Sequence, residues 1–349
     1  MSGSDVTRDG VRGARPGRDA PTGAHAGRRR RRRGRGEQPM VPDAEFSSYY
    51  GRPVLNKPSW AALDIAGYLW LGGLAGASSL LAAGGHATGR PALARTAKLG
   101  AAGAVSLSLG ALVHDLGRPA RFLNMLRVFK PTSPMNVGSW LLAGYAPLTL
   151  AAAAADVSGR CRPAGTAATA AASVLGPAVA TYTAVLVSDT AVPSWHEGHR
   201  ELPYVFAGSA ASAAAGLALA GVPVAQTGPA RRAAVLGAVL ELGAFRLMKR
   251  RMGMVAEPFE RGRACVLLRG AEVLAVGGTA LAAVAGRRRG AATVAGVALL
   301  AGSAALRFGV FHAGVASAED PKYTVVPQRE RLADGAPRTD DTDGTDGTD

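Results

Sequence analysis

The chain has 349 residues, a formal net charge of +15, 48% hydrophobic residues and only 5% aromatic ones. Its two cysteines, Cys161 and Cys265, show no metal-ligand spacing, and an iron–sulfur cluster normally takes four thiolates, so none is expected in this chain. The mean hydropathy of +0.11 is that of a soluble protein, yet the apolar residues are gathered into blocks too rich in Ala, Leu, Val and Gly to form water-facing amphipathic helices.

Residues 1–45 are Gly, Pro, Arg and Asp around an unbroken run from Arg28 to Arg33. Such a segment buries too little apolar surface to offset its ordering entropy, so a disordered arm is expected. Beside a membrane body, the Arg run reads as a cytoplasmic arm that sets topology and touches anionic lipid, and nucleic acid is not expected as a partner. A cleaved signal is not expected either, because polar and mixed residues separate the run from the first apolar block near Trp60.

Apolar runs follow at about 61–84, 97–114, 137–155, 166–187, 202–222, 232–248, 266–286 and 290–311. At a rise of about 1.5 Å per residue, about 20 residues span a bilayer, so the expectation is an all-α polytopic membrane protein with about eight transmembrane helices. The sixth and eighth runs are the weakest, since Glu241 and Arg246 interrupt one and Arg307 the other. Small residues at Gly72, Gly73, Gly76, Gly277 and Gly278 suit close helix contact, where packing replaces the hydrophobic drive that lipid cannot supply. An even number of spans puts both termini on one side, and the basic arm makes that side the cytoplasm. The last residues, 328–349, end in an acidic TDDTDGTDGTD and are expected to be a disordered tail.

The polar stretch 115–140, DLGRPARFLNMLRVFKPTSPMNVGSW, lies between two of these runs. Through DLGRP, RF, PTSPM and SW it resembles the second-to-third helix loop of the polysulfide reductase membrane subunit family, the NrfD-like proteins. YLWLGGLAGASSLLA at 68–82, TYTAVLVSDTAVPSWHEGHRELPYVFAGSA at 181–210 and RGAEVLAVGG at 269–278 agree with that family in order, so the resemblance covers 46–327. It implies eight helices built around a four-helix bundle in a bacterial cell membrane. It also implies menaquinone or another quinone as substrate, a ferredoxin-like iron–sulfur partner subunit and a molybdopterin catalytic subunit. The chain would then be a subunit without the catalytic centre, and neither haem nor an iron–sulfur cluster is expected in it.

Several residues carry this reading. Asp64 and Tyr68 are four apart, hence on one face of the first helix, where a carboxylate and a phenol suit a quinone carbonyl and its proton; Asp64 as a helix-start residue is the alternative. Asp115, Arg118 and Arg121 mark the end of the second helix, either as a salt-bridged loop or with the arginines at a docking surface for the iron–sulfur subunit or beside the quinone head group. Tyr182 resembles the family's helix-four tyrosine that faces the quinone, and His196, in the segment after it, is a candidate proton relay. Glu241 and Glu272 are candidates for a proton path, with Arg269 three residues before Glu272 as its neutralising partner. Two other functions fit buried charges in eight spans: a secondary transporter, and a pure anchor without quinone chemistry.

Overall fold

The computed structural model describes residues 5–7, 10–12, 54–55, 58, 60–115 and 124–335. Eight long helices follow one another: α1 (Ala62–Ala87), α2 (Pro91–Asp115), α3 (Pro134–Ser158), α4 (Arg162–Ser188), α5 (Leu202–Gly221), α6 (Gly228–Met252), α7 (Gly262–Ala285) and α8 (Arg289–Glu319). Each coincides with one expected run, and most extend beyond it because charged residues occupy the end turns. In α2, for example, the helix takes in Arg95 ahead of the expected run, and just inside that run the buried Lys98 ammonium donates to Asp156 Oδ1 of α3 at 2.8 Å.

Among the described residues, seven of these helices are long and apolar enough to cross a membrane. The exception is α6, which carries Arg231, Arg232, Glu241, Arg246, Lys249, Arg250 and Arg251. Large apolar side chains also point outward, such as Leu236 (71% exposed) and Val284 (89%), as lipid-facing residues do.

The helix ends follow local rules. Prolines open α2 and α3 and fall in the first turns of α4, α5 and α6, where no intrahelical N–H is lost. Ser133 caps α3, its hydroxyl accepting from the Asn136 N–H, and Gly159 ends that helix at φ 68°, a conformation glycine adopts without strain.

Helices α1 to α4 form a four-helix bundle in which α1 and α3 each pack against α2 and α4. Helix α5 joins this bundle through α1 and α4, and it carries the remaining helices: α6 lies on α5, α7 on α6, and α8 against α5 and α7. Glycine pairs set the closest approaches. Gly76 meets Gly176 (α1–α4), Gly208 meets Gly237 (α5–α6), and Gly216 meets Gly296 (α5–α8), each so tight that an added Cβ would overlap the partner's carbonyl oxygen. Of the glycines singled out by sequence, Gly76 sits in such a contact, Gly73 and Gly278 meet neighbouring helices a little less closely, and Gly277 faces open space. Buried hydroxyls tie the layers further, Ser79 to Tyr145 at 2.6 Å and Ser209 to Ser303 at 2.9 Å.

Because successive helices alternate in direction, the start of α1, residues 124–133 and the connections 189–201 and 253–261 share one end of this assembly. The chain divides into two compact units, Pro58–Ala316 and the two chain ends. In the latter, Asp5–Thr7 pairs antiparallel with Gly10–Arg12, and a helix runs from Lys322 to Gly335. The segment expected as tail from 328 is therefore helical as far as Gly335. Otherwise the expectations for the 1–45 arm and for 336–349 fall outside the described residues.

Candidate functional site

At the shared end of the first bundle, α1, α2, α3 and α4 enclose a cavity of about 90 Å³. Ile65, Leu69, Leu112, Leu142, Leu186 and Val187 make its walls apolar, and Trp60, Met125 and Met135 close it. Two phenols stand in it. The rings of Tyr68 and Tyr182 meet edge to face with centroids 6.5 Å apart. Gly138 of α3 makes room for Tyr182, whose ring occupies the space a Cβ there would need. Tyr68 is held at its backbone, where its carbonyl accepts from Ser108 Oγ of α2 at 3.2 Å.

The Tyr182 hydroxyl is buried and, among the described residues, has no hydrogen-bond partner. A buried phenol normally finds one, and an unpaired polar group in an apolar setting costs about 1–3 kcal/mol. The Ser139 hydroxyl, which also lines the cavity, is engaged: its Oγ donates to the Met135 carbonyl at 3.0 Å and contacts the Met125 sulfur at 3.4 Å.

Asp115, the last residue of α2, also lines the cavity. Beside it, Asp64 Oδ2 lies 3.0 Å from His114 Nδ1, and the two carboxylates and the imidazole interact through space. Asp64 lies in the first turn of α1, where no side chain caps the helix, and it turns to α2 rather than into the cavity. The sequence pair Asp64 and Tyr68 is thereby split, with Tyr68 in the cavity and Asp64 in a charged cluster at its mouth. His114 is 79% exposed, so the cluster reaches water. Arg118 and Arg121 lie outside the described residues. The rest of their loop is fastened by Asn136, which donates to the Met125 carbonyl at 2.6 Å and accepts from the Lys130 N–H at 2.7 Å.

His196 is exposed and does not line the cavity; its Nδ1 sits 3.2 Å from the Ser188 carbonyl at the end of α4. Its neighbour Trp195, on the one-turn helix Pro193–His196, is buried together with Pro193 and Ser194. Trp195 stacks on Trp60 at 6.0 Å, packs on Phe311 and donates to the Val310 carbonyl at 2.8 Å. Nearby, Arg251 holds Glu201 with two bonds of 2.7 Å and also donates to the Glu197 carbonyl. The bond from Arg251 holds the Glu201 carboxyl below the ordinary carboxylate range.

In the second group of helices, the expected Arg269–Glu272 pair does not form. Glu272 instead binds Arg246 of α6 at 2.7 Å, while Arg269 points to the exposed surface. Spacing along one helix brings residues near one another, but a neighbouring helix offered a better-placed fork of donors. Glu241 is buried deep in α6. Arg307 of α8, seen in the sequence only as an interruption, is fully buried, donates to the Phe206 carbonyl at 3.0 Å and lies 3.6 Å over the Phe206 ring. Among the described residues, no group of three or more His, Cys, Asp or Glu is arranged to hold a metal ion.

Over residues 53–318, which take in all eight helices but the last residue of α8, the sequence matches the family described as polysulphide reductase, NrfD. The chain belongs to this family. No curated protein matches it. NrfD proteins are membrane subunits of oxidoreductase complexes, are associated with quinone, and pair with iron–sulfur and molybdenum-enzyme subunits. With seven apolar helices and this membership, the chain is a multi-pass membrane protein with a membrane-anchor role.

Proposed function

We propose that this NrfD protein is the quinone-reactive membrane subunit of a respiratory oxidoreductase. It exchanges electrons between the quinone pool and an iron–sulfur partner subunit and moves the two protons that accompany each two-electron turnover. The observation that supports this most is the buried, unpartnered Tyr182 hydroxyl beside an apolar cavity. A flat apolar ring bearing carbonyl oxygens suits it: the walls accept the ring, and the Tyr182 O–H donates to one oxygen. Sites built to hydrogen-bond a ligand leave such polar groups unpaired until it arrives.

When bound, the quinone supplies the two-electron chemistry. The chain's own residues bind and orient it, and they handle protons at the mouth. Asp115 faces the cavity and interacts with Asp64 and His114, and His114 faces water, so a proton is passed between cavity and solvent along that cluster. His196, outside the lining, has no part in this route. Both termini on the cytoplasmic side, in the bacterial cell membrane, complete the reading; the basic arm supports it.

The test is binding of a menaquinone analogue to the full chain in lipid nanodiscs, followed through quenching of tryptophan, since Trp60 borders the cavity. Saturable binding that weakens about tenfold in Tyr182→Phe, the loss of one hydrogen bond to a buried partner, supports the site. Binding unaffected by that change, or no saturable binding to folded protein, favours a pure anchor.

A further inference from the structure

Glu241 is 1% exposed, and among the described residues no group forms an ion pair with its carboxylate; the Ser209 hydroxyl of α5 is the donor beside it. Arg307 acts on it through space, and the Arg307 Nε and Nη1 are buried without partners. An ionisable group left in this state inside a membrane protein is costly unless water reaches it. Water has a place to stand: Glu241 forms part of the wall of a second cavity, of about 220 Å³, between α6, α7 and α8 at the same end of the assembly as the first. A water needs only about 10–15 Å³ of such space, so several fit.

The cavity's other polar walls are Arg246 and Lys249 of α6, Glu260 of the 253–260 turn, and Cys265, Arg269 and Glu272 of α7. With Glu241 these are three basic and three acidic groups, and two cross-pairs are closed, Arg246–Glu272 at 2.7 Å and Lys249–Glu260 at 3.0 Å. A lining so balanced holds neither an anion nor a metal cation by charge, and it suits water. From the other elements packed around Glu241 come Arg307 of α8 and the Ser209 hydroxyl of α5.

We propose that this cavity is a water-filled inlet and that Glu241 is a proton-exchange site reached through it, separate from the Tyr68–Tyr182 cavity. The inference goes beyond the quinone reading and does not depend on it. On uptake, a proton delivered by cavity water forms an O–H bond with a Glu241 oxygen. On release that bond breaks, the electron pair stays on the oxygen and the proton returns to the same water. Arg307 supplies the facing positive charge while Glu241 is ionised.

Cys265 makes the inlet testable, because it lines the cavity and Cys161 is the other thiol in the chain. The experiment uses the full chain in nanodiscs with Cys161→Ser and infrared absorption of the protonated carboxyl C=O stretch. The expected result is a band that follows bulk pH, shifts on transfer to D₂O and is absent in Glu241→Gln. Attaching a bulky water-soluble methanethiosulfonate to Cys265 is expected to slow the D₂O shift about tenfold or more, as an added barrier of about 1.4 kcal/mol does. That last measurement keeps Glu241 native, so it decides the matter even if Glu241→Gln fails to fold. A Cys265 that does not react, a band indifferent to its modification, or a band removed by sodium at constant pH overturns the proposal.

Discussion

Gly76 of α1 and Gly176 of α4 touch backbone to backbone, each occupying the space that a side chain on the other would require. Gly76→Ala is expected to force the two helices apart and cost about 1–3 kcal/mol or more, because the obstructing atom is a carbonyl oxygen that cannot rotate away. Gly67→Ala on the same helix meets nothing within 4 Å and is expected to leave stability unchanged or raise it by up to about 1 kcal/mol. Thermal unfolding of both variants in nanodiscs checks the contrast.

Two buried tyrosines predict opposite outcomes for the same change. Tyr145→Phe removes the 2.6 Å bond to Ser79 and leaves that hydroxyl only its longer 3.4 Å bond to Ala75, for an expected loss of about 1 kcal/mol without effect on quinone-analogue binding. Tyr182→Phe removes a hydroxyl with no partner, so stability is expected to hold or rise while binding weakens. Unfolding and titration on both proteins separate a structural phenol from a ligand-facing one.

Glu201 and Arg251 predict an acid-dependent weakness. The Glu201 carboxyl lies below its ordinary value because Arg251 donates to it, so its contribution is present above the ordinary carboxylate range and is lost as pH falls through the lowered value. Glu201→Gln is expected to cost about 1.5 kcal/mol at neutral pH, the scale of a charge-assisted bond. The difference from the native chain should close at acid pH, which unfolding midpoints measured against pH will show.

Lys98 and Asp156 predict an asymmetry. Asp156→Asn strips a buried ammonium of its carboxylate and is expected to cost about 3–5 kcal/mol. Lys98→Met leaves Asp156 with Arg95 at 3.6 Å and should cost less. The double variant is expected to recover most of the loss, a coupling that a double-mutant cycle reads directly.

The number and order of the helices were legible in the sequence, because apolar blocks of bilayer length leave few other structures. Ends were less legible: α2 begins ahead of its run, at Pro91, and takes in Arg95, whose charge is met by Asp156 on α3 at 3.6 Å. In the candidate site, Tyr68 and Tyr182 are brought together as residues of the first and fourth helices. The spacing of Asp64 and Tyr68 did not foretell that only Tyr68 lines the cavity, since four residues along a helix give a shared face but do not say that the next helix offers a histidine. Glu272 failed likewise, taking Arg246 from another helix over Arg269 on its own. Arg307 gave one signal, a lone cation in an apolar run, but Phe206 and Glu241, which surround its guanidinium, come from distant parts of the chain.

The composition of α6 bears on how this protein is made. Flanked by arginines at one end and a Lys-Arg-Arg cluster at the other, with a carboxylate midway, it is a poor candidate for independent insertion from the translocon. Its contact with α5 is among the closest in the fold, with Gly208 and Gly237 in mutual contact across it. The two helices are therefore expected to enter the bilayer as a hairpin, the apolar first arm carrying the charged second. A nascent chain truncated before α6 emerges should insert α5 normally, whereas α6 presented alone should remain at the membrane surface.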